Sequence, residues 1–224
     1  MYWYKVGLFV WKDLLIEYRA REFLSSMGVF GLLVLVLYNF SFSLGREELR
    51  EVLPGLLWLA YLFAGVLGLN RAFAAEREFR AIKLISLLAE DRSAIFMGKL
   101  LSNLIFMWGM QLLLTPVSFA FFGIQLEAGL GMLLLVLLLG SIGIMAPGTF
   151  LAALASESRA QEVLLPILLF PLLTPVVIGA VQLTAELMQT GAVASSAAWL
   201  YVLAACDLVF LALPFFLFEY LLEV

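Results

Sequence analysis

Long stretches without a single charged side chain decide what this sequence can fold into. They run from Phe23 to Gly45, Val52 to Asn70, Leu100 to Leu126, Ala128 to Ser156, Val163 to Ala185 and Leu187 to Cys206, the last resuming after Asp207 from Leu208 to Phe218. A bilayer core of about 30 Å takes about 20 apolar residues as helix, and each run supplies roughly that. The expected fold is an all-α polytopic membrane protein with six spans, near 23–44, 54–72, 95–122, 128–153, 163–184 and 198–219. Composition closes the alternative. The chain is 64% hydrophobic and 13% charged over 224 residues, whereas soluble domains run near 45–50% and about 25%. A soluble globule of this size has too much surface to hide so much apolar material. A soluble enzyme, a nucleic-acid-binding domain and a disulfide-stapled secreted module are therefore excluded.

Absent residue types narrow the chemistry. There is no histidine, so zinc–water hydrolysis, Ser-His-Asp catalysis and His-ligated haem lack their base or ligand. Cys206 is the one cysteine, so no internal disulfide or thiolate cluster forms. The Gly98-Lys99-Leu100 sequence lacks the spacing and the Ser/Thr of a phosphate-cradling loop, so the chain is not expected to hydrolyse ATP. Intramembrane enzymes gather several Asp, His or Ser groups within their spans, and this chain carries one such acid.

The few cations orient the spans. Lys5, Lys12, Arg19 and Arg21 precede the first span, Arg71, Arg77, Arg80, Lys83, Arg92 and Lys99 surround the second loop, and Arg159 lies in the fourth, eleven of thirteen on one side. Arg46 and Arg50 face the other side, offset by Glu47, Glu48 and Glu51. The positive-inside rule puts both termini in the cytoplasm. The first run, preceded by 22 residues, does not fit a cleaved signal peptide. Within residues 1–22, Trp3, Tyr4, Trp11 and Tyr18 alternate with Lys5, Lys12, Asp13, Glu17 and Arg19. That pattern predicts an amphipathic helix at the cytoplasmic interface, the alternative being an extension of span one. Residues 71–92 lack Gly and Pro and place Phe79, Ile82, Ile85 and Ala89 near helical spacing beside Arg77, Arg80 and Lys83. Such a short helix either floats on the membrane or docks in a groove of a soluble partner.

Three further features invite function. Pro166, Pro171 and Pro175 lie in span five, Pro116 in span three and Pro147-Gly148 in span four. Each interior proline removes a helical hydrogen bond, marking a packed interior or a helix that bends along a transport path. Asp207 is the ionisable residue deep within a span, a proton site or a group hydrogen-bonded to a neighbour such as Gln111 or Thr174, or paired at a subunit interface. Residues 176–197, with Gln182, Thr184, Glu186, Gln189, Thr190, Ser195 and Ser196, read as an outer loop or a re-entrant segment.

Three motifs carry a resemblance. Ala75-Glu76-Arg77-Glu78-Phe79 followed by Leu84-Ile85-Ser86-Leu87-Leu88 resembles the coupling helix of ABC-2-type permeases, without that pattern's glycine and closing proline. Leu53-Pro54-Gly55-Leu56-Leu57-Trp58 resembles the P-G-x-x-W opening of span two in the haem exporter protein B family of cytochrome c maturation. The run from Leu164 to Pro175 resembles that family's L-L-x-I-L-x-x-P-L-x-x-P signature.

The resemblance implies the permease subunit of an ABC transporter in the bacterial inner membrane, working as a homodimer. A separate ATPase (CcmA-like) would dock on Glu76, Arg77, Glu78, Phe79, Arg80, Ile82 and Lys83, with Glu157 and Arg159 as a second cytoplasmic contact. Further membrane subunits (CcmC-like and CcmD-like) and, indirectly, a haem chaperone complete the expected partners. The expected work is haem export or release of the haem-loaded chaperone. No cofactor is expected on this chain: ATP acts through the ATPase, and haem is a substrate without histidine ligation. Alternatives are an ABC-2 permease for a lipid or drug, and a proton-coupled secondary transporter using Asp207.

Overall fold

The computed structural model describes residues 2–20, 22–41, 46–78, 92–124, 129–155 and 161–221. Among the described residues the chain forms seven helices: α1 (Tyr2–Ala20), α2 (Glu22–Ser41), α3 (Arg46–Glu78), α4 (Arg92–Phe122), α5 (Leu130–Ala155), α6 (Gln161–Thr190) and α7 (Ala197–Leu221). Five are long and apolar enough to cross a membrane, over Glu51–Asn70, Ser93–Phe122, Leu130–Ala155, Val163–Thr190 and Ala197–Leu217. In α2 the qualifying apolar stretch is shorter, Ser25–Tyr38.

The helices are held by apolar seams and by glycines where backbones meet. α5 lies at the centre, packing on α3, α4, α6 and α7, while α1 packs chiefly on α4. On α6 the buried stripe Leu165, Leu169, Leu173, Val176, Ala180, Leu183 and Leu187 steps by three and four residues, the spacing of one helical face. α5 can approach its neighbours because its contact positions lack side chains. A Cβ added at Gly140 would collide with the edge of the Trp58 ring, one at Gly148 would strike Leu69, and one at Gly143 would sit 2.7 Å from Val176 Cγ1. These are the close approaches that small residues permit between membrane helices.

Two expectations change here. Residues 71–78 continue α3 rather than opening a separate helix, because Ala, Glu and Arg favour helix and no Gly or Pro interrupts them. Residues 176–190 are neither outer loop nor re-entrant segment: α6 runs unbroken to Thr190, and residues 191–196 turn directly into α7. Gly191, with φ of 73°, ends α6 in the left-handed conformation, its N–H donating to Leu187 O at 2.9 Å. The Glu186 carboxylate then accepts from the Ser195 and Ser196 backbone N–H groups, at 2.8 and 2.7 Å. Glu186, Ser195 and Ser196 therefore join α6 to α7 instead of lining a loop.

Candidate functional site

A ladder of polar pairs runs through the apolar bundle. Trp58 Nε1 on α3 donates to Thr184 Oγ1 on α6 at 2.9 Å. One turn along α3, the Tyr61 hydroxyl meets Thr115 Oγ1 on α4 at 2.7 Å. Ser141 Oγ on α5 pairs with Gln111 Oε1 on α4 at 2.9 Å, and Asn103 Nδ2 on α4 donates to Thr149 Oγ1 on α5 at 3.0 Å. All eight side chains are buried. Away from water each rung joins buried polar groups of two helices, while Thr115, Thr184 and Ser141 also bond back to their own helix, so the ladder ties α3, α4, α5 and α6 in register. Of these residues only Trp58 stood in a sequence motif. The available signal for the rest was isolated polar side chains within apolar runs.

Asp207 faces the interior from α7, 5% exposed. Its Oδ1 lies 2.9 Å from where a Cβ on Gly143 would be, and Val176 packs at the same point. Both carboxyl oxygens lack a hydrogen-bond partner among the described residues. The expected bonds to Gln111 or Thr174 are not made. Gln111 Nε2, the donor a carboxylate would use, is likewise without a partner among the described residues, and Thr174 Oγ1 turns back to Phe170 O at 3.1 Å.

The proline positions divide. Pro147 is buried in α5, whereas Pro171 is exposed and Pro166 and Pro175 half-buried on α6. All three α6 prolines fall between the residues of its buried stripe. α6 thus packs through its leucine, valine and alanine face and turns its prolines off that seam.

At the start of α4 the chain builds a second feature. Lys99 Nζ lies 3.2 Å from Asp13 Oδ2 on α1 and 3.3 Å from Oδ1, with the two side chains only 7% and 11% exposed. Beside it, a Cβ on Gly98 would stand 2.5 Å from Phe9 Cβ and 3.4 Å from Val6 O. A notch and a half-hidden ion pair therefore seat α1 on α4. Lys12 also reaches Asp13, at 3.2 Å, from a more exposed position.

Among the sequence-predicted partner contacts, Glu76, Arg77 and Glu78 belong to the last turns of α3. Phe79, Arg80, Ile82, Lys83, Glu157 and Arg159 lie outside the described residues. The segment 79–91 thus connects α3 to α4, the two helices that Tyr61 and Thr115 tie together.

A profile of the family described as CcmB protein matches residues 5–224. This chain belongs to the CcmB family. Among curated relatives, it is 33% identical over 182 residues to heme exporter protein B of Rhodobacter capsulatus, covering 81% of each chain. It is 27% identical over 161 residues to heme exporter protein B of Pseudomonas aeruginosa, covering 72% of each. The protein from Bradyrhizobium diazoefficiens is 29% identical over 150 residues, 67% of each.

The CcmB motif acquires a physical role here. Trp58 is fully buried, stacks edge-on against Tyr61 with centroids 5.5 Å apart, fills the space left by Gly140 and bonds to Thr184. Pro54 is buried within α3. Gly55 has open space around its Cα, so packing within this chain does not explain it. As a CcmB protein this chain is a multi-pass bacterial membrane protein of a permease family rather than a catalytic enzyme.

The α1 seat yields a quantitative expectation. Replacing Lys99 with methionine leaves Asp13 without its buried partner. Breaking a buried pair typically costs about 3–5 kcal/mol; because Lys12 still reaches Asp13, about 2 kcal/mol is expected. The apolar pair Asp13→Leu/Lys99→Met should melt above Lys99→Met alone, since only the more exposed Lys12 then loses the Asp13 carboxylate. Thermal unfolding of the three proteins in one detergent checks both results.

Proposed function

We propose that this chain is the membrane subunit of an ABC transporter that exports haem, or drives release of a haem-loaded chaperone, during cytochrome c maturation. The observation that carries the reading is the likeness to heme exporter protein B across 81% of both chains. In this reading α2, at 20 residues, is the first of six spans, being about 30 Å long at 1.5 Å per residue. Both termini are cytoplasmic, as the distribution of Lys and Arg favours. α1 rests at the inner interface, its exposed Trp3, Tyr4, Trp11 and Tyr18 suited to headgroup level.

Two copies form the core, and an ATPase subunit docks on each 71–92 segment. Phe79 and Ile82 fill its groove, while Glu76, Arg77, Glu78, Arg80 and Lys83 set orientation. Glu157 and Arg159 add a second contact. Closure of the ATPases on ATP displaces the 79–91 segment. Because it joins α3 directly to α4, and both are tied by Tyr61–Thr115, they move as a pair. The α4 contacts to α1 through Lys99 and to α5 through Gln111 and Asn103 carry that movement onward. No cofactor belongs to this chain in the reading. ATP is hydrolysed by the partner, and haem is cargo that no histidine here ligates. CcmC-like and CcmD-like membrane subunits complete the assembly.

A chromosomal deletion tests the reading. Loss of all c-type cytochromes with other exports intact is the expected phenotype. Intact c-type cytochromes with a defect in lipid or drug export would assign the permease to another substrate.

A further inference from the structure

Between α1 and α4 lies a groove of about 600 Å³, lined chiefly by Trp11, Leu14, Leu15, Tyr18, Ile105 and Phe106 and also touched by Gly109 and Glu17. Glu17 is buried and engaged within the chain. The groove continues an outward-facing stripe on α1, formed by Tyr4, Leu8, Trp11, Leu15 and Tyr18, all exposed.

We propose that this groove holds an acyl chain of an anionic glycerophospholipid from the leaflet that α4 enters at its Arg92 end. Three observations select this occupant. Size is the first: at about 30 Å³ for a water-sized group, the groove accommodates roughly twenty methylene-sized units, the scale of a membrane lipid chain. Depth is the second. On α4 the lining runs from Ile105 to Gly109, starting about 9 Å inward of Lys99 at 1.5 Å per residue, within one half of a hydrocarbon core of about 30 Å. Charge is the third. Apart from the half-hidden Lys99–Asp13 pair, Lys5, Lys12 and Arg19 on α1 outnumber Glu17, and each cation near a membrane surface favours anionic lipid. The aromatic rings at the rim match the interfacial preference of Trp and Tyr.

The lipid then completes the seat of α1. The Asp13–Lys99 pair and the Gly98 notch fix the helix on one side, and the lipid chain fills the groove beside Trp11, Leu15 and Tyr18. The inference depends on membrane insertion and not on haem or an ATPase, so it stands or falls apart from the proposed function.

Native mass spectrometry of the full chain, purified with equal phosphatidylglycerol and phosphatidylcholine, tests it. The unmodified chain should retain phosphatidylglycerol preferentially. Gly109→Phe fills the groove, and a Cβ at Gly109 meets nothing within 4 Å, so helix content and melting should stay unchanged. Lipid retention should fall about tenfold, a change equivalent to ~1.4 kcal/mol. Ile105→Trp, from an exposed position in the same wall, should act alike. Lys12→Gln/Arg19→Gln should keep a bound lipid but lose the preference for phosphatidylglycerol. Equal retention of the two lipids by the unmodified chain would overturn the proposal. So would undiminished retention in both groove-filling variants, or loss of a co-purifying membrane protein in them with lipid unchanged.

Discussion

Gly140→Val should destabilise the bundle by about 3 kcal/mol, the upper part of the range for overpacking a filled core. A Cβ at this position collides with the edge of the Trp58 ring. Trp58 has nowhere to retreat, since it is wholly buried, stacks on Tyr61 and is tied to Thr184. The same helix supplies the control. Gly131 has nothing within 4 Å of an added Cβ, so Gly131→Ala should be neutral or slightly stabilising, since alanine favours helix over glycine. Pairing Gly140→Ala with Trp58→Phe should recover part of the loss, because phenylalanine withdraws the outer indole ring that the new methyl strikes. The Thr184 hydroxyl is not stranded by that change, as it donates to Ala180 O at 2.7 Å. The double variant should be more stable than the sum of the single effects by about 1 kcal/mol, the scale of coupling between touching residues. Thermal melting in detergent measures all of these. Equal melting of Gly140→Val and Gly131→Ala would show that Trp58 does not bear on α5 as described.

Much of the architecture was legible in the sequence for one physical reason. Charge is so costly in hydrocarbon that its absence outlines helices. The centres of α3 to α7 follow that outline closely. Their ends do not, because a helix emerging from the membrane keeps winding while its residues favour it. α3 therefore extends through Arg46–Glu51 at one end and to Glu78 at the other. Residues 176–197 misled for a related reason. Thr184 and Glu186 are polar because one pairs with Trp58 and the other caps α7. Composition alone cannot separate a polar group that joins helices from one that faces water.

The candidate site was legible only where a motif covered it. Trp58 belonged to a recognisable pattern, but its partners Thr184 and Gly140 lie far along the chain. Lys99 counted as one more cytoplasmic cation, and its pairing with Asp13 across 86 positions has no local signature. Asp207 was conspicuous as an acid within a span. Its position against Gly143 depends on how α5 and α7 cross, which no sequence spacing encodes. The α6 prolines were equally visible, yet which face they occupy emerges only from the stripe of leucines that packs instead.

The central claim is that an ATPase drives this chain through the 71–92 segment, and co-purification with the ATPase subunit tests it most directly. The chain should be expressed with the ATPase from its own operon or genome, solubilised and captured by a tag on this chain alone. The account predicts that the ATPase is retained by the unmodified chain and lost from Phe79→Asp, since a buried aromatic anchor replaced by a charge removes a dominant contact. Phe79→Leu should keep most of the ATPase, and all three proteins should remain inserted at similar levels. Full stoichiometric retention of the ATPase by Phe79→Asp would contradict the account.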